Sequence, residues 1–214
     1  MYVPKANEET RVEVMHALVR AHPLGTWTLL HGDDLVTNHV PFELDAARGP
    51  LGVLVGHVAR ANPVWRAPAS TVRSVVSFHG PQAYVTPSWY PSKREHGRVV
   101  PTWNYAVVHV RGVPRFVHDH EWLHSHVSRL SDVHEAAERA PWSVADAPED
   151  YVGRMLGAIV GVEIPIERLV GKWKVSQNRS VQDRAGVVVG LRERGDLESA
   201  GLVSALDREG DGDA

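Results

Sequence analysis

Four short stretches hold side chains whose types and spacing could grip a flat, partly charged ligand. Gly56-His57-Val58-Ala59-Arg60-Ala61-Asn62-Pro63 follows an apolar run and gathers an imidazole, a guanidinium and an amide. Such groups hold a phosphate or a polar ring edge; equally, Asn62 could simply close a strand before Pro63. Tyr84-Val85-Thr86-Pro87-Ser88-Trp89-Tyr90-Pro91-Ser92-Lys93 packs hydroxyls, a lysine and three aromatics around its prolines. Proline restricts φ and lowers the ordering cost of a loop, so this one suits an aromatic ligand or an apolar packing role. In Val100-Pro101-Thr102-Trp103-Asn104-Tyr105 a strand would put Thr102 and Asn104 on one face and Trp103 and Tyr105 on the other. In Lys172-Trp173-Lys174-Val175-Ser176-Gln177-Asn178-Arg179 the same alternation would turn Lys172, Lys174 and Ser176 together toward an anion or toward solvent.

Other chemistries find no footing. The 214 residues include no cysteine, which excludes disulfide scaffolds, thiolate metal sites and a cysteine nucleophile. No nucleophile elbow, phosphate-binding P-loop or dinucleotide fingerprint occurs. Five histidines crowd together (His118, His120, His124, His126 and His134), and His120 and His124 stand four apart. No third ligand is fixed by spacing, so a solvated helix face is expected there and no metal. Apolar runs are too short for a membrane helix, and the first residues lack a hydrophobic signal core, which suggests a cytoplasmic chain.

The formal net charge of −3 hides an asymmetry. Residues 195–214 carry six acids and one base, a net −5, which leaves +2 for the rest. Ala46 to His118 holds nine Arg or Lys against the single acid Glu95. A stretch so poor in carboxylates fits an anionic ligand, or a basic surface balanced elsewhere.

The elements that must position these groups can be read from periodicity. Val12, Met15, Leu18 and Val19 give helical spacing within Glu8–His22, ahead of Pro23. Thr26–His31 and Leu35–Val40 flank Gly32-Asp33-Asp34 as a hairpin. Leu51–Val58, Thr71–Phe78 and Gln82–Thr86 read as strands, the last two separated at Gly80-Pro81. Trp103–Arg111 and Val113–His118 read as another pair, turned at Gly112. Asp119 caps a helix to about Ala140, and Pro148 opens a second. Val162–Leu169 and Lys172–Ser176 return to strand. Ser180 or Asp183 begins a helical region interrupted near Gly195, with a frayed acidic tail after Asp207. Many short strands without βαβ alternation predict a mainly β chain, an antiparallel barrel with peripheral helices. Residues 1–195 form the expected domain, and 196–214 a C-terminal helix and tail.

Together the motifs resemble the PaiB-like family of FMN-binding negative transcriptional regulators. The resemblance runs through Gly80–Lys93, Val100–Tyr105 and Lys172–Arg179, and extends to Met1-Tyr2-Val3-Pro4-Lys5, Gly56–Pro63 and Pro148-Glu149-Asp150-Tyr151. It spans about residues 1–195. Thr86 and Val175 are conservative departures from the family's expected Ser and Leu. The resemblance implies a split antiparallel β-barrel of the flavin reductase and pyridoxamine phosphate oxidase type, homodimeric, with FMN at the subunit interface. The implied cofactor-binding residues are His57, Arg60, Ala61, Asn62, Ser88, Trp89, Tyr90, Thr102, Trp103, Asn104, Lys174, Ser176, Gln177, Asn178 and Arg179. Arg60, Lys174 and Arg179 would meet the phosphate with Ser88 or Ser176. His57, Asn104 and Gln177 would address ring or ribityl oxygens, and Trp89, Tyr90 and Trp103 would wall the ring.

Flavin carries out its own hydride or electron transfer, so the sequence requires no catalytic acid or base. An FMN-dependent oxidoreductase and a flavin-sensing regulator therefore both stay open, with DNA contact direct or indirect. The alternative is a haem-binding or haem-degrading split barrel, suggested by the 13 histidines.

Overall fold

The computed structural model describes residues 1–66 and 73–210, the side chains of 207–210 excepted. In chain order the elements are β1 (Glu8–Glu9), α1 (Val12–Ala21), β2 (Leu24–His31), β3 (Asp34–Pro41), β4 (Glu43–Asp45), β5 (Val53–Ala59), β6 (Ser74–Val85) and α2 (Ser92–His96). They continue with β7 (Thr102–Gly112), β8 (Arg115–Val117), α3 (His120–Glu135), α4 (Glu149–Gly157), β9 (Ile159–Pro165), β10 (Arg168–Lys174), α5 (Val181–Glu193) and α6 (Leu197–Gly210). The architecture is mainly antiparallel β with added helices, as the strand-rich pattern predicts. No helix among the described residues is long and apolar enough to cross a membrane.

The chain forms two compact units. Unit one comprises Met1–Leu18, His79–Val108 and Val170–Ala214; unit two comprises Val19–Phe78 and His109–Leu169.

In unit one, β1, β10, the first part of β7 and the second part of β6 are neighbours in that order. Glu8 pairs with Lys172 and Glu9 with Gly171. The helix expected from Glu8 therefore starts only at Val12, because two residues are first used as strand. The Glu9 carboxylate then accepts the Arg11 backbone N–H at 2.9 Å and helps start α1. The core joins Ala83, Val85, Tyr90 and Val175 to Val187, Val188 and Leu191 of α5 and Ala200 and Val203 of α6. Burying each such aliphatic side chain is worth on the order of 2 kcal/mol. That burial holds α5 and α6 in place.

Ser180 caps α5 by accepting the Asp183 backbone N–H. Gly195, at φ +78°, ends the α5 region and permits the break before α6. The helix reaches Gly210, beyond the fraying expected at Asp207; residues 211–214 of the tail lie outside the described residues.

In unit two, the remaining parts of β7 and β6 are followed by β2 and β3, and a separate sheet runs β4-β5-β9-β8. The hairpin of β2 and β3 closes at His31 opposite Asp34, around Gly32 at φ +62°. That positive φ suits the turn of a two-residue hairpin. The aromatic core runs from Phe116 to Trp27 at 6.3 Å, to Phe42 at 6.4 Å and on to Phe78 at 6.2 Å.

One expected break is not a break. Gly80-Pro81 lies inside β6, which is one strand from Ser74 to Val85. A Cβ on Gly80 would stand 2.8 Å from Leu18 Cδ1, so this glycine admits the α1 side chain to the strand surface. Thr71 and Val72 of the expected strand lie outside the described residues.

Gly112 does end β7, as expected, but makes no hairpin there, since β8 pairs antiparallel with β9. A Cβ there would sit 2.2 Å from the Pro165 carbonyl oxygen. The helix begun at Asp119 stops at Glu135, short of Ala140, while the Asp119 carboxylate caps it at the Trp122 N–H as expected. The expected strands at Val162–Leu169 and Lys172–Ser176 occur earlier, as β9 and β10.

Gly112→Ala tests the close-approach role. The neighbour is rigid backbone, so the variant should lose about 1–3 kcal/mol, as overpacked sites do. Urea denaturation measures it, and an unmoved midpoint would return Gly112 to a plain strand end.

Candidate flavin-binding site

Unit one brings most of the candidate residues together. Thr102, Trp103 and Asn104 open β7, and Lys174 closes β10. The Lys174 ammonium donates to the Thr102 hydroxyl and to the Trp103 carbonyl. An ammonium has three N–H donors, so one remains for a ligand. Burial pushes the Lys174 pKa down, and the cations Lys172 and Arg179 push the same way.

The Arg179 guanidinium lies 4.6 Å from the Tyr90 ring centroid. Lys93 reaches the exposed Ser88 hydroxyl at 3.4 Å. Asn178 is exposed and, with Arg179, Ser180 and Arg98, lines a cleft of about 420 Å³.

The alternation expected through Ser176 ends at Lys174. Val175 and Ser176 are both buried, and Ser176 has φ +72°, the only non-glycine positive φ among the described residues. Such backbone costs on the order of 1–3 kcal/mol and must be held by its surroundings. The Asn104 amide and Ser176 hydroxyl hold it, 3.0 Å apart and both buried. Gln177 turns inward: its Oε1 accepts the Val175 N–H at 2.8 Å and its amide donates to the Trp173 carbonyl. Asn7 also donates to Gln177 Oε1, at 3.1 Å.

The aromatics divide. Tyr90 is buried, and its hydroxyl makes no hydrogen bond among the described residues. Trp89 fills a groove that Gly186 and Gly190 open on α5; a Cβ on Gly190 would lie 2.2 Å from its ring. Arg194 covers Trp89 at 4.3 Å. Trp103 is 55% exposed and meets the exposed Tyr84 edge-on at 6.0 Å. The open aromatic surface is therefore Trp103 with Tyr84. Tyr84 lay inside a sequence motif but had no role there; its face is set by β6 parity, which the unbroken strand reveals.

Unit two contains His57, Arg60, Ala61 and Asn62. The Arg60 guanidinium donates to the carbonyls of Gly157 and Ile159 at 2.7 and 2.8 Å and ties the end of β5 to the end of α4. Asn62 accepts the Val64 N–H and donates to Asn38, which is the loop-closing role open to it from sequence. Ala61 is exposed beside them.

His57 leads to groups that lie outside the four motifs. Its Nδ1 is 3.0 Å from His126 Nε2, and His126 Nδ1 is 3.2 Å from a Glu43 oxygen. Arg129 holds the other Glu43 oxygen at 3.3 Å. Trp122 stacks on His126 at 5.4 Å and donates to Glu163, itself clamped by Arg48. His126 is thus fully buried, which corrects the solvated helix face expected for the whole histidine cluster. His120, His124 and His134 do face solvent. Burial pushes the His57 pKa down. Burial and the neighbouring His57 push His126 down to about 4, against the pull of Glu43. The usable signal was Trp122 and His126 four apart on one helix face.

The unit-one group fits a phosphorylated flavin. Three cations crowd one another around Lys174 with an ammonium donor to spare, and an exposed aromatic pair offers a wall. The fold is of the split-barrel flavin-protein class. A family model described as "Putative FMN-binding domain" matches residues 1–168, and the chain belongs to this FMN-binding, PaiB-like family. FMN is its cofactor.

An uncharacterised protein of Emericella nidulans is 34% identical over 91% of this chain and 92% of its own length. Protease synthase and sporulation protein PAI 2 of Bacillus subtilis is 29% identical over 90% of this chain and 89% of its own. Among solved structures, the FAD and heme binding protein from Mycobacterium smegmatis superposes with a TM-score of 0.57 at 18% identity, covering 84% of this chain and 79% of that one. That likeness shows the fold.

The buried imidazoles predict an acid-side loss of stability. A histidine with a depressed native pKa stays neutral in the fold while the unfolded chain takes up a proton. Stability should therefore fall as pH drops from about 6.5 toward about 4, by up to roughly 1.4 kcal/mol per pH unit for one group. His126→Phe should flatten urea-denaturation stability over that window. A wild-type slope retained in the variant would assign the loss to other groups.

Proposed function

We propose that this chain acts as a homodimeric FMN protein, either passing electrons through the flavin or reporting flavin state as a negative transcriptional regulator in the cytoplasm. The observation that carries the reading is the crowding of Lys172, Lys174 and Arg179 beside an exposed aromatic pair. Bound FMN supplies hydride and electron transfer. The protein's part is to bind, orient and shield. Lys174 and Arg179 neutralise the phosphate, with Ser88 and Lys93 as further polar partners. Trp103 and Tyr84 cover ring surface. Asn104, Ser176 and Gln177 hold the turn that aims the cations. Trp89 and Tyr90 support this group from the core.

The name of the Bacillus subtilis relative, a protease synthase and sporulation protein, favours a regulatory role. The basic residues of Ala46–His118 divide between the two units, and several are engaged internally. Arg48 binds Glu163 and Arg60 binds carbonyls. Regulation through a bound flavin or a partner protein thus needs less of this stretch than direct DNA contact does.

Lys174→Ala should weaken FMN binding by about 10–100-fold, the weight of one charged hydrogen bond. Quenching of FMN fluorescence reads it, with circular dichroism to confirm folding. Unchanged affinity in a folded variant would remove Lys174 from the phosphate site. On the same preparation, NADH or NADPH oxidation faster than with free FMN marks an oxidoreductase, and a rate equal to free FMN marks a regulator. A Soret band on haem addition, abolished by one His→Ala change, would favour the haem alternative. Light scattering decides the dimer, and operator binding that falls steeply with salt would show direct DNA contact.

A further inference from the structure

The relay in unit two fixes which nitrogen of His57 is bare. The Glu43 carboxylate can only accept, so His126 Nδ1 carries the proton between them. A neutral imidazole with a proton on Nδ1 has a lone pair on Nε2, so His126 Nε2 must accept. The donor at 3.0 Å is then His57 Nδ1–H, and His57 Nε2 is left unprotonated. Burial keeps both rings neutral. Arg129, on the far oxygen of Glu43, weakens that carboxylate's hold on an imidazolium. Trp122 closes one face of His126, so the ring cannot turn to another partner. His57 is only half-buried, and the one side-chain hydrogen bond it makes among the described residues is that of Nδ1 to His126.

We propose that Glu43 and His126 are positioning residues that hold His57 as its Nδ1–H tautomer, so that its Nε2 accepts a hydrogen bond from an N–H or O–H group of a bound ligand. The usual carboxylate–histidine logic is here extended by one imidazole. A flavin presents an imide N–H and ribityl hydroxyls, which are donors of this class. Its carbonyl oxygens, which the sequence reading also set against His57, are acceptors and would meet a lone pair. The identity of the donor rests on the FMN reading; the tautomer does not.

Long-range ¹H–¹⁵N spectra of the flavin-free protein near neutral pH distinguish a protonated from a bare ring nitrogen. The expected result is a protonated Nδ1 and a bare Nε2 for both His57 and His126. A His57 proton on Nε2, or a doubly protonated His126, overturns the proposal. Glu43→Gln can still accept from His126 and should keep the pattern, whereas Glu43→Ala should give mixed tautomers. Tautomers unchanged in folded Glu43→Ala overturn the positioning role; if that variant does not fold, the wild-type spectrum still decides the tautomer. With FMN added, the His57 Nε2 signal should move upfield, in the hydrogen-bonded direction. FMN binding shown by fluorescence with an unmoved Nε2 overturns the ligand contact. Loss of all FMN binding would instead strike the flavin reading and leave the tautomer result standing.

Discussion

Unit one depends on a left-handed turn at a residue that does not favour one. Ser176 has φ +72°, and a serine pays for that conformation where glycine would not. Two amide side chains hold it there: Asn104 from β7 bonds its hydroxyl, and Gln177 bonds the backbone on either side of Lys174, at the Trp173 carbonyl and the Val175 N–H. The turn lets Val175 enter the core, leaves Lys174 at the last strand position, and swings Arg179 onto Tyr90. Without it the strand would continue, and the two cations would alternate along a single edge.

The same turn explains why like charges can sit close together. Burial is the main cause of the depressed Lys174 pKa, and the Coulomb cost of bringing Lys172 and Arg179 near it adds to that. Hydrogen bonds to Thr102 and the Trp103 carbonyl offset part of that cost and fix the ammonium in place. An arrangement that holds cations together against their repulsion is pre-organised for an anion. The binding group is thereby built before the ligand arrives, and binding relieves the repulsion.

Residue types and local spacing were enough to find the mainly β class, the β2–β3 hairpin, the Asp119 cap and a start of α5 at Ser180 or Asp183. They failed wherever a glycine serves distant packing. Gly80 and Gly112 look like turns, yet one makes room for Leu18 and the other for the Pro165 carbonyl. Gly186 and Gly190 look like weak points of α5 and instead seat Trp89. Each glycine costs roughly 1 kcal/mol of helix propensity, a cost offset only by a tryptophan 97 and 101 residues away in sequence. Parity predicted an open face for Ser176 because nothing local announces a positive φ at serine. The division of aromatics into the seated Trp89 and the open Trp103 was equally nonlocal.

The histidine cluster shows the limit most sharply. Five similar residues gave one reading, a wet helix face, which holds for His120, His124 and His134. It fails for His126 because α3 turns that position inward, against β4 and β5. Once there, the ring could not be left unsatisfied, since an unpaired buried polar group costs on the order of 1–3 kcal/mol. It therefore needs an acceptor on one side and a donor on the other, and Glu43 and His57 supply them. The proton order of the relay follows from the fact that a carboxylate can only accept. Packing of one helix face thus reaches, through two rings, to the bare nitrogen of the residue that the sequence motif had placed at the end of β5.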